Sequence, residues 1–250
     1  MHRNTTIIIG VKRQQTPSEL AHWEEFELRW RPYMNVIICL RDIAENPLTR
    51  DGKKTTPIAY DSNCLEEACG SCAMLINRKA LMACSTLVDS LSQPIRLEPL
   101  TKFPVVRDLM VDRSIMFEHL KRMRAWVPID GTYELGAEPR ISQDVQQNGY
   151  VLSRCFTCGL CLEVCPQVNK RSDYVGPAVI SQVRLFNMHP TGTMHARARL
   201  ETVTGRGGIQ DCGNSQNCIK VCPKHIPLTE SIAEVNRQAI GQVLLGWLHH

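Results

Sequence analysis

Four cysteines in one short run, Cys155-Phe-Thr-Cys158-Gly-Leu-Cys161-Leu-Glu-Val-Cys165-Pro166, constrain this chain more than any other stretch. The spacing C-x2-C-x2-C-x3-C-P holds an iron–sulfur cluster, and where two clusters are present the fourth cysteine serves the other one. One run therefore predicts a second. It stands near the C-terminus as Cys212-Gly-Asn-Ser215-Gln-Asn-Cys218-Ile-Lys-Val-Cys222-Pro223, with Ser215 in register with the second cysteine of the first run. Crossing over the fourth ligands gives one full set, Cys155, Cys158, Cys161 and Cys222, for a [4Fe–4S] cluster. The other set, Cys165, Cys212 and Cys218, has only three thiolates. A serine hydroxyl is far harder to deprotonate than a thiol, so the expected occupant of that set is a [3Fe–4S] cluster. Pro166 and Pro223 fix φ and are expected to open helices whose N-termini face the anionic clusters.

A further set lies in the N-terminal half: Cys64-Leu-Glu-Glu-Ala-Cys69-Gly70-Ser71-Cys72, followed by Cys84. C-x4-C-x2-C with a distant fourth cysteine is the plant-type [2Fe–2S] spacing. Gly70 and the small residues Ala68, Ser71 and Ala73 let backbone amides approach the cluster sulfurs. Around this loop the patterning predicts strands over Thr5–Arg13 and Glu24–Arg31, a helix over Asn35–Glu45, a strand over Ala73–Ile76 with a turn at Asn77–Lys79, and a last strand over Ile95–Leu97. Two strands, a helix and a cysteine loop are the order of a β-grasp ferredoxin domain. A structural zinc site is the competing reading, but zinc usually takes two C-x2–4-C knuckles from separate turns. Cys39, on the apolar side of the helix, reads as a small core residue.

Twelve cysteines in 250 residues fall short of a disulfide scaffold, and their clustering points to metal in a reducing compartment. A formal charge of +4 with scattered basic residues gives no support to nucleic-acid binding. The N-terminal apolar run is too short for a signal peptide, and no stretch approaches the roughly 20 apolar residues that span a bilayer. Membrane association is therefore expected to come through a partner.

The domain boundary is expected in an irregular segment, Pro99–Asp112, dividing the chain into residues 1–110 and 111–250. Beyond it the pattern predicts helices over Ser114–Trp126, Val145–Arg154, Pro177–Asn187, His195–Thr204 and Leu228–Leu245, with a Gly/Pro-rich connection over Pro128–Gln143. The fold class is α+β: an N-terminal β-grasp [2Fe–2S] domain and a C-terminal all-helical domain around two clusters. Lys121, Arg122 and Arg124 read as a solvated face. His22, His119, His195 and His225 have no role that the clusters require, and Met188–Met194 reads as loop and core.

This order of motifs resembles the iron–sulfur subunit family of succinate dehydrogenase and fumarate reductase. The resemblance is carried by Cys64–Cys72 with Cys84, by Cys155–Pro166 and by Cys212–Pro223. Phe103-Pro-Val-Val-Arg-Asp-Leu109, Val111-Asp-Arg113, Gly176-Pro-Ala178 and Arg184-Leu-Phe186 extend it over nearly the whole chain. It implies a one-electron relay with no acid, base or nucleophile of its own. By similarity, electrons pass from FAD on a flavoprotein subunit through the three clusters to a membrane quinone, or in the reverse direction in a fumarate reductase. It also implies a peripheral place on the cytoplasmic face of the bacterial inner membrane. Asp211-Cys-Gly-Asn-Ser-Gln-Asn-Cys218 is more similar to the branch with a single di-haem cytochrome b anchor, often with menaquinone. A free-standing ferredoxin-type carrier is the reading from a different class; it would purify alone.

Overall fold

The computed structural model describes residues 6–127 and 141–248, so Thr5 and most of the connection expected over Pro128–Gln143 lie outside the described residues. The chain divides into two compact units: Met1–Arg113 with Cys158–Glu163, and Ser114–Thr157 with Val164–His250. No helix among the described residues is long and apolar enough to cross a membrane.

The first unit is built on a five-stranded sheet. Strands β1 (Thr6–Arg13) and β2 (His22–Arg29) form an antiparallel hairpin. Strands β3 (Ala73–Ile76) and β4 (Lys79–Met82) form a second. Strand β5 (Ile95–Glu98) joins them, pairing parallel to β1 and antiparallel to β3, for the order β2-β1-β5-β3-β4. Alternation along β1 puts Ile7, Ile9 and Val11 in the core.

Helix α1 (Val36–Glu45) buries Val36, Ile37, Cys39, Leu40 and Ile43. Its N-cap, Asn35, accepts a hydrogen bond from the Ile38 amide at 2.9 Å, which satisfies one of the orphan donors of the first turn. The same side chain donates to the Cys84 carbonyl at 2.9 Å. One asparagine thus starts the helix and anchors a cysteine.

The segment read as irregular, Pro99–Asp112, instead contains a small antiparallel hairpin, β6 (Val105–Arg107) and β7 (Met110–Val111). Asp108 at its turn has φ +46 and is fully buried. Its carboxylate accepts from Arg13 Nε at 3.0 Å, the Gln14 amide at 3.0 Å and the Ala59 amide at 2.9 Å. Three donors, one of them a buried guanidinium, are what let a carboxylate sit inside protein. The hairpin carries the first unit past residue 110, and the division falls after Arg113.

Residues Cys158–Glu163 also belong to the first unit, because the Glu163 carboxylate accepts from the Thr101 amide at 2.8 Å, the Thr101 hydroxyl at 2.6 Å and the Lys102 amide at 3.1 Å. Part of this segment is helix α4 (Leu160–Glu163).

The second unit is helical. Helix α2 (Ser114–Arg122) stops short of the expected Trp126, since Arg124 turns left-handed at φ +51. Arg122 departs from the solvated-face reading by donating to the Asp173 carbonyl at 2.6 Å. Helix α3 (Gln143–Ser153) is capped by Ser142. Helix α5 (Pro177–Met188) starts on proline and is largely buried; α6 (Ala196–Val203), α7 (Asn217–Val221) and α8 (Leu228–Leu248) follow.

Their core holds Val175, Val179, Ile180, Val183, Val203 and Val235. Arg199 is buried in it and donates only to neutral oxygens: the carbonyls of Arg124, Trp126, Phe186 and Gly192 and the Asn187 amide oxygen. Those bonds fasten the end of the α2 segment to the end of α5.

Cys39 yields a pH test. Burial, with a smaller push from Asp42, raises its thiol from 9.0 to about 12. Below pH 9 both folded and unfolded chains keep the proton, so the thiol's contribution is fully present. Between 9 and 12 the unfolded chain ionises first, and stability falls by about 1.4 kcal/mol per pH unit. Cys39→Val is expected to flatten the decline of the melting temperature over pH 9–11 while leaving iron content per chain unchanged. Lost iron would make Cys39 a ligand.

Candidate metal centres

In the first cysteine loop, Leu65, Glu67 and Gly70 have φ of +61, +57 and +79. Left-handed residues interleaved with ordinary ones turn successive amides to one side, forming a concave nest for an anion. The Ala68 amide already donates to Cys64 Sγ at 3.2 Å. The cysteines come together as two neighbouring pairs, Cys64 with Cys69 and Cys72 with Cys84. Burial pushes the Cys69 thiol up, but hydrogen bonds from Cys64 and from the Ser71 amide and hydroxyl outweigh it and bring the group down to about 6. Cys72 is pushed up to about 12, chiefly by burial.

Among the described residues no three His, Cys, Asp or Glu side chains form a group that could hold one metal ion. Two thiol pairs beside a nest suit two bridged irons better than a single zinc.

The surroundings hold this loop in place. Arg113 donates from one guanidinium nitrogen to the carbonyls of Ser71 (3.0 Å) and Ala73 (3.3 Å). The Ala83 amide donates to the Cys72 carbonyl at 3.1 Å, tying the two halves of one pair. Sequence reasoning gave Arg113 and Asn35 no part in the site. An asparagine before an apolar helical run is a legible cap signal, but its second bond to Cys84 is set by the tertiary fold.

The two later runs share a backbone. Thr157 and Gly159 have φ of +51 and +89; their counterparts Asn214 and Gln216 have +51 and +59. In both runs a short helix follows, α4 carrying Cys161 and α7 carrying Cys218. The common conformation puts Ser215 at the place of Cys158.

Pro166 and Pro223 do not open helices as expected. Each sits second in a turn closed by an amide donating to the cysteine carbonyl, Val168 to Cys165 at 3.2 Å and His225 to Cys222 at 3.0 Å. Proline's fixed φ suits that turn position as well as a helix start.

Cys158 and Cys161 lie in the segment that belongs to the first unit. Within the second unit, Cys155 is raised by burial first and then by the neighbouring Cys222. Cys218 is raised by burial first and then by the nearby thiols of Cys165 and Cys212. Asn217 holds the two runs together by donating to the Val164 carbonyl at 3.2 Å. Buried thiols that raise one another stay protonated until cationic iron offsets their charge, so loading releases protons. The half-buried Cys212 opens on a polar cavity of about 490 Å³ lined by Gln167, Arg171, Asp173, Arg206 and Gly213 among others.

Comparison with known proteins agrees with this layout. Residues 8–118 match the family model "2Fe-2S iron-sulfur cluster binding domain", and residues 151–226 match "4Fe-4S dicluster domain". The chain is 55% identical over 237 residues to the succinate dehydrogenase iron-sulfur subunit of Bacillus subtilis, covering 95% of this chain and 94% of that one. It is 30% identical to the fumarate reductase iron-sulfur subunit of Wolinella succinogenes, over 96% and 99% of the two chains. A chain of the Mycobacterium smegmatis Sdh1 complex in its apo form superposes with a TM-score of 0.81 at 22% identity, covering 96% and 98% of the two; at that identity the likeness shows the fold.

Gly159 and Gln216 give a contrast to test. A Cβ at Gly159 would lie 2.8 Å from the Phe103 ring, on top of its left-handed φ. Gly159→Ala is expected to destabilise by about 1–3 kcal/mol and to reduce four-iron content. Gln216→Ala should leave both nearly unchanged, since the counterpart already accommodates a side chain. Iron analysis and thermal melts decide; equal losses would break the comparison.

Proposed function

The chain belongs to the family of succinate dehydrogenase and fumarate reductase iron–sulfur subunits, and on that premise we propose that it carries electrons from FAD on a flavoprotein subunit to a membrane quinone. Bound clusters supply one-electron transfer. Cys64, Cys69, Cys72 and Cys84 hold the [2Fe–2S] cluster. Cys155, Cys158, Cys161 and Cys222 hold the [4Fe–4S] cluster. Cys165, Cys212 and Cys218 hold the [3Fe–4S] cluster. In this reading residues 1–110 form the [2Fe–2S] module and residues 111–250 the module of the other two clusters.

The observation that carries this reading is the shared backbone of the last two runs with a serine in one cysteine place. A relay needs sites of unlike potential, and removing one thiolate makes unlike sites from one repeated loop. The residues around each site act by position. Backbone amides aim at the sulfurs, Arg113 fixes the first loop, and burial limits water at Cys72, Cys84, Cys161, Cys165 and Cys218.

The polar cavity beside Cys212 is the exit where a quinone head, with a hydrogen-bonding oxygen at each end, meets Gln167 and the charged residues around it. A cytochrome b anchor with haem b supplies the membrane contact and keeps the subunit peripheral on the cytoplasmic face. The exposed Leu65 edge of the first loop faces the flavoprotein. Menaquinone is the proposed acceptor. The 55% identity to a succinate dehydrogenase subunit supports the succinate-oxidising direction; the 30% relative keeps fumarate reduction as the second reading.

Low-temperature EPR on the isolated complex tests this. The oxidised sample should give a near-isotropic [3Fe–4S] signal, which succinate removes while a rhombic [2Fe–2S] signal appears. Signals that answer dithionite but never succinate would exclude a succinate-fed relay. Ser215→Cys is expected to replace the three-iron signal with that of a four-iron cluster of lower potential. An unchanged three-iron spectrum would refute the role given to Ser215.

A further inference from the structure

Tyr174 is 2% exposed and packs in the core of the second unit, where a phenylalanine would fill the same space. Its hydroxyl is buried without a hydrogen-bond partner, a state that costs about 1–3 kcal/mol unless something repays it. Cys165 lies in the same buried core as the ring and Cys212 packs against it, and of the nearby thiols Cys212 acts most strongly on the hydroxyl, ahead of Cys165 and Cys218.

The backbone on either side is fixed. The Asp173 carbonyl accepts from Arg122 at 2.6 Å, the Tyr174 amide donates to the Ser172 hydroxyl at 3.1 Å, and the Val175 amide donates to the Gly207 carbonyl at 2.9 Å. Gly207 has no room for a side chain, since a Cβ would lie 2.2 Å from the Asp173 carbonyl oxygen. The backbone that carries the ring is therefore held beside the thiols, and the ring itself is packed in the core.

We propose that the Tyr174 hydroxyl donates a hydrogen bond to the Cys212 sulfur when the three-thiolate site is loaded, and thereby raises the reduction potential of that centre. The proposal rests on the reading that Cys165, Cys212 and Cys218 hold the three-iron cluster. A neutral thiol is a weak acceptor, which accounts for the unpartnered hydroxyl among protonated cysteines. An iron-bound thiolate carries charge, and hydrogen bonds to charged acceptors are about twice as strong as neutral ones. Reduction adds negative charge to the site, so the bond strengthens on reduction and favours the reduced form. Tyr174 keeps its proton throughout and is a positioning and tuning residue, not a catalytic one.

The experiment is an EPR-monitored redox titration of the assembled complex with Tyr174→Phe. The variant should keep the three-iron signal, while the ratio of reduced to oxidised centre at fixed potential falls about tenfold, a negative shift of ~59 mV for one electron. A proton coupling seen by electron–nuclear double resonance, and lost in deuterated water, should also vanish in the variant. If Tyr174→Phe does not assemble, fluorinated tyrosine at this position keeps the ring and strengthens the donor, and the midpoint should move positive. A midpoint and coupling that ignore both changes overturn the proposal while leaving the ligand set standing. Absence of any three-iron signal from the unsubstituted complex overturns both.

Discussion

A buried anion needs donors, and in this protein the donors are backbone amides that must be turned out of their ordinary conformations to serve. Thiolate-bound iron and sulfide carry net negative charge into sites where Cys72, Cys84, Cys161, Cys165 and Cys218 are buried. The chain answers with left-handed residues at Leu65, Glu67 and Gly70, at Thr157 and Gly159, and at Asn214 and Gln216. Each non-glycine residue held there costs about 1–3 kcal/mol. The strain is tolerable because structured elements grip both ends of every loop: α1 through Asn35, β3 and β4, α4 and α7. It is repaid only when iron is present, so the stability of the fold and the occupancy of its sites are one quantity.

The two units handle a buried arginine differently. Arg13 meets carboxylates, Asp108 and Glu24, and joins strand β1 to the β6–β7 hairpin. Arg199 meets only neutral oxygens, and burial lowers its affinity for its proton. A guanidinium has five donors in a rigid fork, so it can collect carbonyls from several chain ends at once. That joins the carbonyl end of α5 to the segment that follows α2.

The strands, the first helix and the cysteine loops were legible because each rests on a local signal: alternation in β1, a cap and apolar spacing in α1, thiol spacing in the runs. What escaped were features whose cause is distant in sequence. Helices α4 and α7 have four and five residues, too short for any periodicity to register. The β6–β7 hairpin depends on Asp108 reaching Arg13, and no local pattern marks that pair. The prolines after Cys165 and Cys222 were read as helix starts because their fixed φ serves helix and turn alike; the acceptor that decides is the cysteine carbonyl. Tyr174, between Asp173 and Val175 and in no motif, looks like packing until its hydroxyl is placed.

Strand β5 pairs with β1 in parallel, Ile9 beside Ile95 and Val11 beside Leu97. The loop carrying Cys64, Cys69 and Cys72 lies wholly inside the chain segment that this pairing closes. During synthesis the sheet behind that loop cannot form until residue 98 has left the ribosome, and Arg13 waits longer for Asp108. Until then the thiols hang on an open chain, with neither their nest nor their pairing partners fixed. Insertion of the first cluster is thus ordered after translation of the whole N-terminal unit, and a nascent chain must keep its cysteines reduced and untangled through that interval.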